Sequence, residues 1–165
     1  MTEKKIDPIR QTNDEARALG RKLVTEARFG ALGVCEPGTG APMVTRVAVA
    51  LASDGRPVTL ISDLSSHTQA LKADPRCSLL LGEPGQKGDP LTHPRITLQG
   101  EVSFLRHGEA GHAETRTAYL LQQPKAQLYI DFADFSFAIV DVHVAHLNGG
   151  FGKAYRLNPT DLGLG

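Results

Sequence analysis

Tryptophan is absent from the 165-residue chain, cysteine occurs only twice, and basic and acidic side chains cancel at 18 each. Each shortage excludes something. A balanced charge lacks the Lys and Arg excess that neutralises nucleic-acid phosphates or holds a protein to an anionic membrane, so neither partner is expected. The two cysteines, Cys35 and Cys77, are too few for a disulfide framework and lie in apolar runs, so they read as buried reduced thiols. No apolar run approaches the roughly 18 residues that cross a bilayer. The first residues, Met1-Thr-Glu-Lys-Lys-Ile-Asp-Pro8, are charged at once, unlike the apolar centre of a secretory signal. Cytoplasm is the expected compartment. Nucleotide-binding glycine motifs, the G-x-S-x-G elbow and H-E-x-x-H are missing as well.

What remains is an ordinary globular composition, 41% hydrophobic and 22% charged, sufficient for one domain with its own core. Residues 1–13 read as a polar lead-in, 14–158 as the domain and 159–165 as a tail. Ala16, Leu19, Leu23, Val24 and Ala27 recur at three- and four-residue spacing, one face of a helix that Asn13 or Asp14 caps and Gly30 follows. Strands are expected over 30–35, 43–51, 58–62, 76–81, 95–105, 135–147 and, briefly, 152–157. The second and third of these should form a hairpin through Ser53-Asp-Gly-Arg-Pro57. Shorter helices fit 65–73, which Pro75 stops, and 108–123, which Pro124 stops. In 95–105, Ile96, Leu98, Val102 and Phe104 face one way, and Gly100 among them suggests a bend or bulge. Residues 82–94 form a long Gly/Pro-rich loop. Hairpins outnumber βαβ units, which makes the fold class α+β, mainly antiparallel β, closed as a partly open barrel.

Six histidines raise a metal site. His143 and His146 are three apart on a strand and should point to opposite faces unless a bulge intervenes, so no metal is expected. His107 and His112 flank a helix start and read as solvated. The richer segment is Leu60-Ile-Ser-Asp-Leu-Ser-Ser-His-Thr68, where a strand ends and a hydroxyl-dense turn opens a helix. Free amides at a helix N-terminus beside Ser and Thr suit an anion, although capping by Ser65 or Ser66 accounts for the same residues. Arg46, on the preceding strand, has the guanidinium to pair with that anion. Gly149, Gly150 and Gly152 mark a tight turn near the other end.

In order and spacing, Thr45-Arg-Val-Ala-Val, Ile61-Ser-Asp-Leu-Ser-Ser-His-Thr-Gln-Ala-Leu-Lys-Ala-Asp-Pro-Arg76, Asp89-Pro-Leu with Pro94-Arg-Ile-Thr-Leu-Gln-Gly100, and Asn148-Gly-Gly-Phe-Gly-Lys-Ala154 resemble the pyridoxamine 5′-phosphate oxidase-like FMN-binding split barrels. The nearest branch is the haem-utilisation (HugZ-like) and CREG-like one. The resemblance covers about 14–158 and implies a six-stranded split β-barrel with flanking helices. It further implies a homodimer with FMN at its interface, and oxidoreductase chemistry on an unidentified small-molecule substrate. The alternative it implies is a non-catalytic protein that holds FMN or haem. By position, Arg46 would meet the FMN phosphate, Thr45 and Val47 would border the flavin, and Ser62, Ser65, Ser66, His67 and Thr68 would complete the phosphate and ribityl pocket. Asn148 and Lys153 would approach from the partner subunit. Pyridoxamine phosphate oxidases carry Arg-Lys where this chain has His67-Thr68, and their later Arg-Leu-His-Asp-Arg segment has no counterpart here. Full-length haem-utilisation proteins have a further C-terminal domain, for which the 165 residues hold no match.

Overall fold

The computed structural model describes residues 5–164. Strand β1 (Ile9–Arg10) precedes helix α1 (Asp14–Glu26), followed by β2 (Phe29–Cys35), β3 (Pro42–Ala48), β4 (Ala50–Leu51) and β5 (Pro57–Ser62). Helix α2 (Ser66–Ala73), β6 (Arg76–Leu81), β7 (Arg95–Leu105), α3 (His112–Gln122), β8 (Phe135–Asn148) and β9 (Ala154–Leu157) complete the order. Single 3₁₀ turns lie at Pro90–Thr92, Pro124–Leu128 and Thr160–Leu162. All strand pairs are antiparallel except β1 with β9.

Strand β8 organises the sheet. One edge pairs with β7; along the other, its first half takes β5 and its second half β9. The sheet divides there, and the chain from β3 through Val49 into β4 and β5 returns one end of the sheet to the other. The result is a split barrel with three helices outside. Alternation gives β5 and β8 two cores. Ile61, Ala138 and Val140 face the barrel interior with Leu32, Leu79, Ile96 and Leu98, while Leu60, Phe137 and Ile139 face outward. Tyr119 of α3, Ala126 and Ile130 cover that outward face.

Register turns on Gly100. The β7–β8 ladder passes from Gln99 opposite Val144 to Gly100 opposite Val142, leaving His143 as the extra residue of a β-bulge. A Cβ at Gly100 would collide with the Asp141 carbonyl oxygen and lie 2.8 Å from its carbon and 3.1 Å from Val142 Cα. Only glycine fits where the two backbones come this close.

Several expectations are corrected. The run 43–51 is two strands, not one: β3 pairs wholly with β2, and only Ala50 and Leu51 pair with Val58 and Pro57. The chain breaks at Val49, whose N–H donates to the Arg28 carbonyl. The break buries the adjacent Val49 and Ala50 together, at 1% and 0% exposure, which strict alternation forbids. Asn13 does cap α1, its side chain accepting from Ala16 N–H at 2.8 Å. Gly30 follows the end of α1 and lies in the expected strand, against the Leu80 carbonyl. The packed unit also reaches past 14–158. Ile9 and Arg10 add to β9, Leu162 is buried, and the Arg17 guanidinium donates to Asp161 at 2.8 Å. The 82–94 loop folds around His93, whose Nδ1 accepts from Gly85 N–H and whose Nε2–H donates to the Lys87 carbonyl.

His112 is buried rather than solvated, at 6% exposure, its ring 4.5 Å from that of His107 and 5.1 Å from that of Phe137. Burial first, then the neighbouring His107 and Arg116, hold its pKa below the ordinary 6.5 against weaker opposing pulls from Asp131 and Glu109. Burial lowers His67 in the same sense. The unfolded chain therefore binds more protons than the folded one once pH drops below 6.5. Stability is fully present above that value and is lost as pH falls through it toward the lower folded pKa. Thermal unfolding should show Tm falling between about pH 7 and about pH 5, with a shallower fall in His112→Gln.

Candidate functional site

The strand-to-helix turn after β5 gathers part of the expected set. Arg46, Val47, Ser62, Ser65 and His67 line one cavity of about 250 Å³, together with Tyr129 and Phe135. Thr45 stands behind it, its hydroxyl 3.0 Å from His67 Nδ1. Ser65 occupies the N-cap position of α2, yet its hydroxyl makes no capping bond. Ser66 is exposed, its hydroxyl 3.9 Å from Met43 Sδ. Thr68 is fully buried and its hydroxyl has no protein partner, so it lies behind the turn rather than in it. Asn148 and Lys153 belong to the β8–β9 turn, where Asn148 Oδ1 accepts from Gly150 N–H and Gly149 N–H donates to the Lys153 carbonyl. Ser62 pairs with Phe135, the opposite end of β8. One chain does not bring these two residues to the phosphate turn.

The turn's chemistry does not suit a phosphate dianion. Ser62 Oγ already donates to Asp134 Oδ2 at 2.6 Å and accepts from Leu64 N–H. A carboxylate thus stands one hydrogen bond behind the cavity. Burial lowers the His67 pKa, which favours a neutral ring. Asp63 is engaged by Lys72 at 2.8 Å. Arg46 is the one fixed positive charge lining the cavity, and it lies 6.0 Å over the Phe29 ring.

A larger feature escaped the sequence. The outward sides of β2, β3, β6, β7 and β8 enclose a mainly apolar trough of about 590 Å³. Gly33 leaves its floor flat: a Cβ there would meet nothing closer than Ser78, at 3.6 Å, and would stand in the trough. Val44, Pro42, Cys35 and Val144 supply apolar wall, and Arg76, Glu101, Gln99 and His143 the polar groups. The bulge at Gly100 places His143 here. It also puts His143 and His146 on the same outward face, contrary to expectation, since Val142, Ala145 and Leu147 between and beside them all point into the core. His146 Nε2–H donates to Gln99 Oε1 at 2.8 Å. The His143 imidazole is exposed and makes no hydrogen bond among the described residues. Arg76 is held by Asp74 at 2.6 Å, which pulls the Asp74 carboxyl down to about 2. Cys77 is buried in the core and its thiol pushed up to about 11, whereas Cys35 is only half-buried, on the trough side. Both thiols are free.

Residues 11–162 match the CREG β-barrel family across nearly the whole length of the chain. The chain belongs to the CREG β-barrel family. A curated relative, the chloroplastic non-canonical haem oxygenase HOZ of Arabidopsis thaliana, is 36% identical over 116 residues, which is 70% of this chain and 34% of that protein. The chain thus spans about a third of that relative's length. The structure of a haem-binding protein from Mycobacterium smegmatis superposes with a TM-score of 0.80 at 28% identity, over 94% of this chain and 61% of that one. A protein related to general stress protein 26, of the pyridoxine phosphate oxidase family, from Clostridium acetobutylicum superposes at 0.68 and 14% identity over 92% and 99%. The last likeness shows the shared split-barrel fold alone. Among the described residues, no helix is long and apolar enough to cross a membrane.

Proposed function

We propose that this member of the CREG β-barrel family binds haem in the outward trough, with His143 as the iron ligand. The observation that carries the reading is the union of a flat apolar floor at Gly33 with an unengaged imidazole that the Gly100 bulge turns outward. A porphyrin needs an apolar slot, an axial donor and polar groups for its propionates, and Arg76, Ser78 and Gln99 lie on the same trough. When bound, haem supplies a redox-active iron whose behaviour follows its axial ligand and surroundings. The trough residues would hold it, with His143 supplying the iron ligand and the apolar wall of Pro42, Val44 and Val144 excluding water. The haem-related relatives support this reading. A second copy of the chain closes the open side: Phe29, Val44 and Leu80, at 43%, 67% and 44% exposure, continue the apolar face beyond the trough. Light scattering should therefore report a homodimer, and a monomer would leave the haem half-covered.

Haemin titration of the purified protein is expected to give a saturable Soret band distinct from that of free haemin. A spectrum that follows free haemin throughout would remove the proposal. Adding ascorbate in air then separates a holder, whose Soret band persists, from an oxygenase, whose band bleaches.

The flavin reading has one observation in its favour, the shared cavity of Arg46, Val47, Ser62, Ser65 and His67. The Asp134 carboxylate and the neutral His67 weigh against an FMN phosphate there. FMN added in parallel should remain free, and retained yellow colour on gel filtration would reinstate the flavin-dependent oxidoreductase.

A further inference from the structure

The cavity that fails a phosphate is nonetheless built for a ligand. One wall is the Tyr129 and Phe135 ring pair, in contact with centroids 5.1 Å apart and tilted 38°. Neither belongs to the residues that the split-barrel resemblance assigns. At the mouth stands the Arg46 guanidinium, without an ion pair or hydrogen bond among the described residues. Two more donors converge. Ser65 Oγ is uncommitted, and His67, its Nδ1 3.0 Å from the Thr45 hydroxyl, offers an Nε2–H in the tautomer in which that hydroxyl donates. Opposing them is the Asp134 carboxylate, one hydrogen bond behind through Ser62.

A bidentate guanidinium with two neutral donors satisfies a single carboxylate. With Arg46 already set against the Asp134 carboxylate, a dianion would leave twice the unbalanced negative charge that a monoanion leaves. A void of about 250 Å³ is below the range of drug-sized ligands and suits a one-ring body packed against one aromatic wall. We propose that this cavity binds a small planar aromatic monoanion, carboxylate on Arg46, Ser65 and His67, ring against the Tyr129 and Phe135 pair. The site is separate from the haem trough and stands or falls independently of it.

The test is a calorimetric titration of the full chain with benzoate, and in parallel with phenyl phosphate. Saturable benzoate binding with Kd in the millimolar range or tighter is expected, with phenyl phosphate no tighter. Arg46→Ala should weaken benzoate roughly 10- to 100-fold, and Tyr129→Ala should weaken it too. Arg46 is exposed on the outermost strand, so its variant keeps the fold, and the urea midpoint of Arg46→Ala should match the wild type. Phenyl phosphate tenfold or more tighter than benzoate, benzoate affinity indifferent to Arg46→Ala, or no saturable benzoate binding would each overturn the proposal.

Discussion

Gly100→Ala is expected to destabilise the barrel by about 3 kcal/mol or more, enough to leave little folded protein at 37 °C. The added methyl group would collide with the Asp141 carbonyl oxygen and press on Val142 Cα at 3.1 Å. Neither neighbour is a flexible side chain that can turn aside. Both are backbone atoms of β8, the strand that also pairs with β5 and β9. Relief requires β7 and β8 to separate where Cys77, Gly100 and Val142 lie abreast across three strands. The same movement would straighten the bulge and rotate His143 out of the trough. Urea unfolding should therefore show a large drop in midpoint, and any folded remainder should bind haem weakly. A midpoint within error of wild type would mean that the two strands do not approach as closely as described.

Phe137→Ala is the second large effect, about 3–5 kcal/mol. Phe137 is fully buried on the outer side of β8, with the Tyr119 ring 5.4 Å away and His112 at 5.1 Å. It is the largest fully buried side chain that the sheet offers to the outer cluster. Removing it leaves a cavity beneath α3 and the 3₁₀ turn Pro124–Leu128, while the barrel interior keeps its packing. Hydrogen exchange should show protection lost first in residues 112–130, with β2, β6 and β7 still protected. The pH dependence of stability should flatten as well, because His112 would lose the ring that helps bury it. Uniform loss of protection throughout the chain would show that the two clusters fold as one unit.

The parts of the fold legible in the sequence were those governed by a single period. In β7, alternation placed Ile96, Leu98 and Val102 inward, and the glycine breaking it marked the bulge. In α1, the Asn13 cap and the three-four spacing sufficed. Alternation gave no sign of which strand β3 would pair with, since a β-branched run fits either neighbour, and burial of Val49 beside Ala50 decided it. The site divides the same way. Arg46, Ser62, Ser65 and His67 come from two adjacent segments, and the resemblance collected them together. The trough takes two or three residues from each of five strands, so no stretch of sequence carries its signature. Phe135 read only as the first residue of a strand, and Tyr129 carried no signal at all. One local signal for the trough did exist: a bulge expected at Gly100 implies a partner residue thrown outward, and that residue is a histidine.

Haemin titration of His143→Ala beside His146→Ala tests the account most directly. Both imidazoles are on the outer face of β8, but His146 is tied to Gln99 and His143 is not. The account predicts that His143→Ala shifts the Soret band and weakens haem by more than the ~10- to 100-fold that loss of a ligand's supporting partner costs, while His146→Ala keeps the wild-type band. An unchanged band and affinity in His143→Ala would contradict it, and would place any haem elsewhere on the protein.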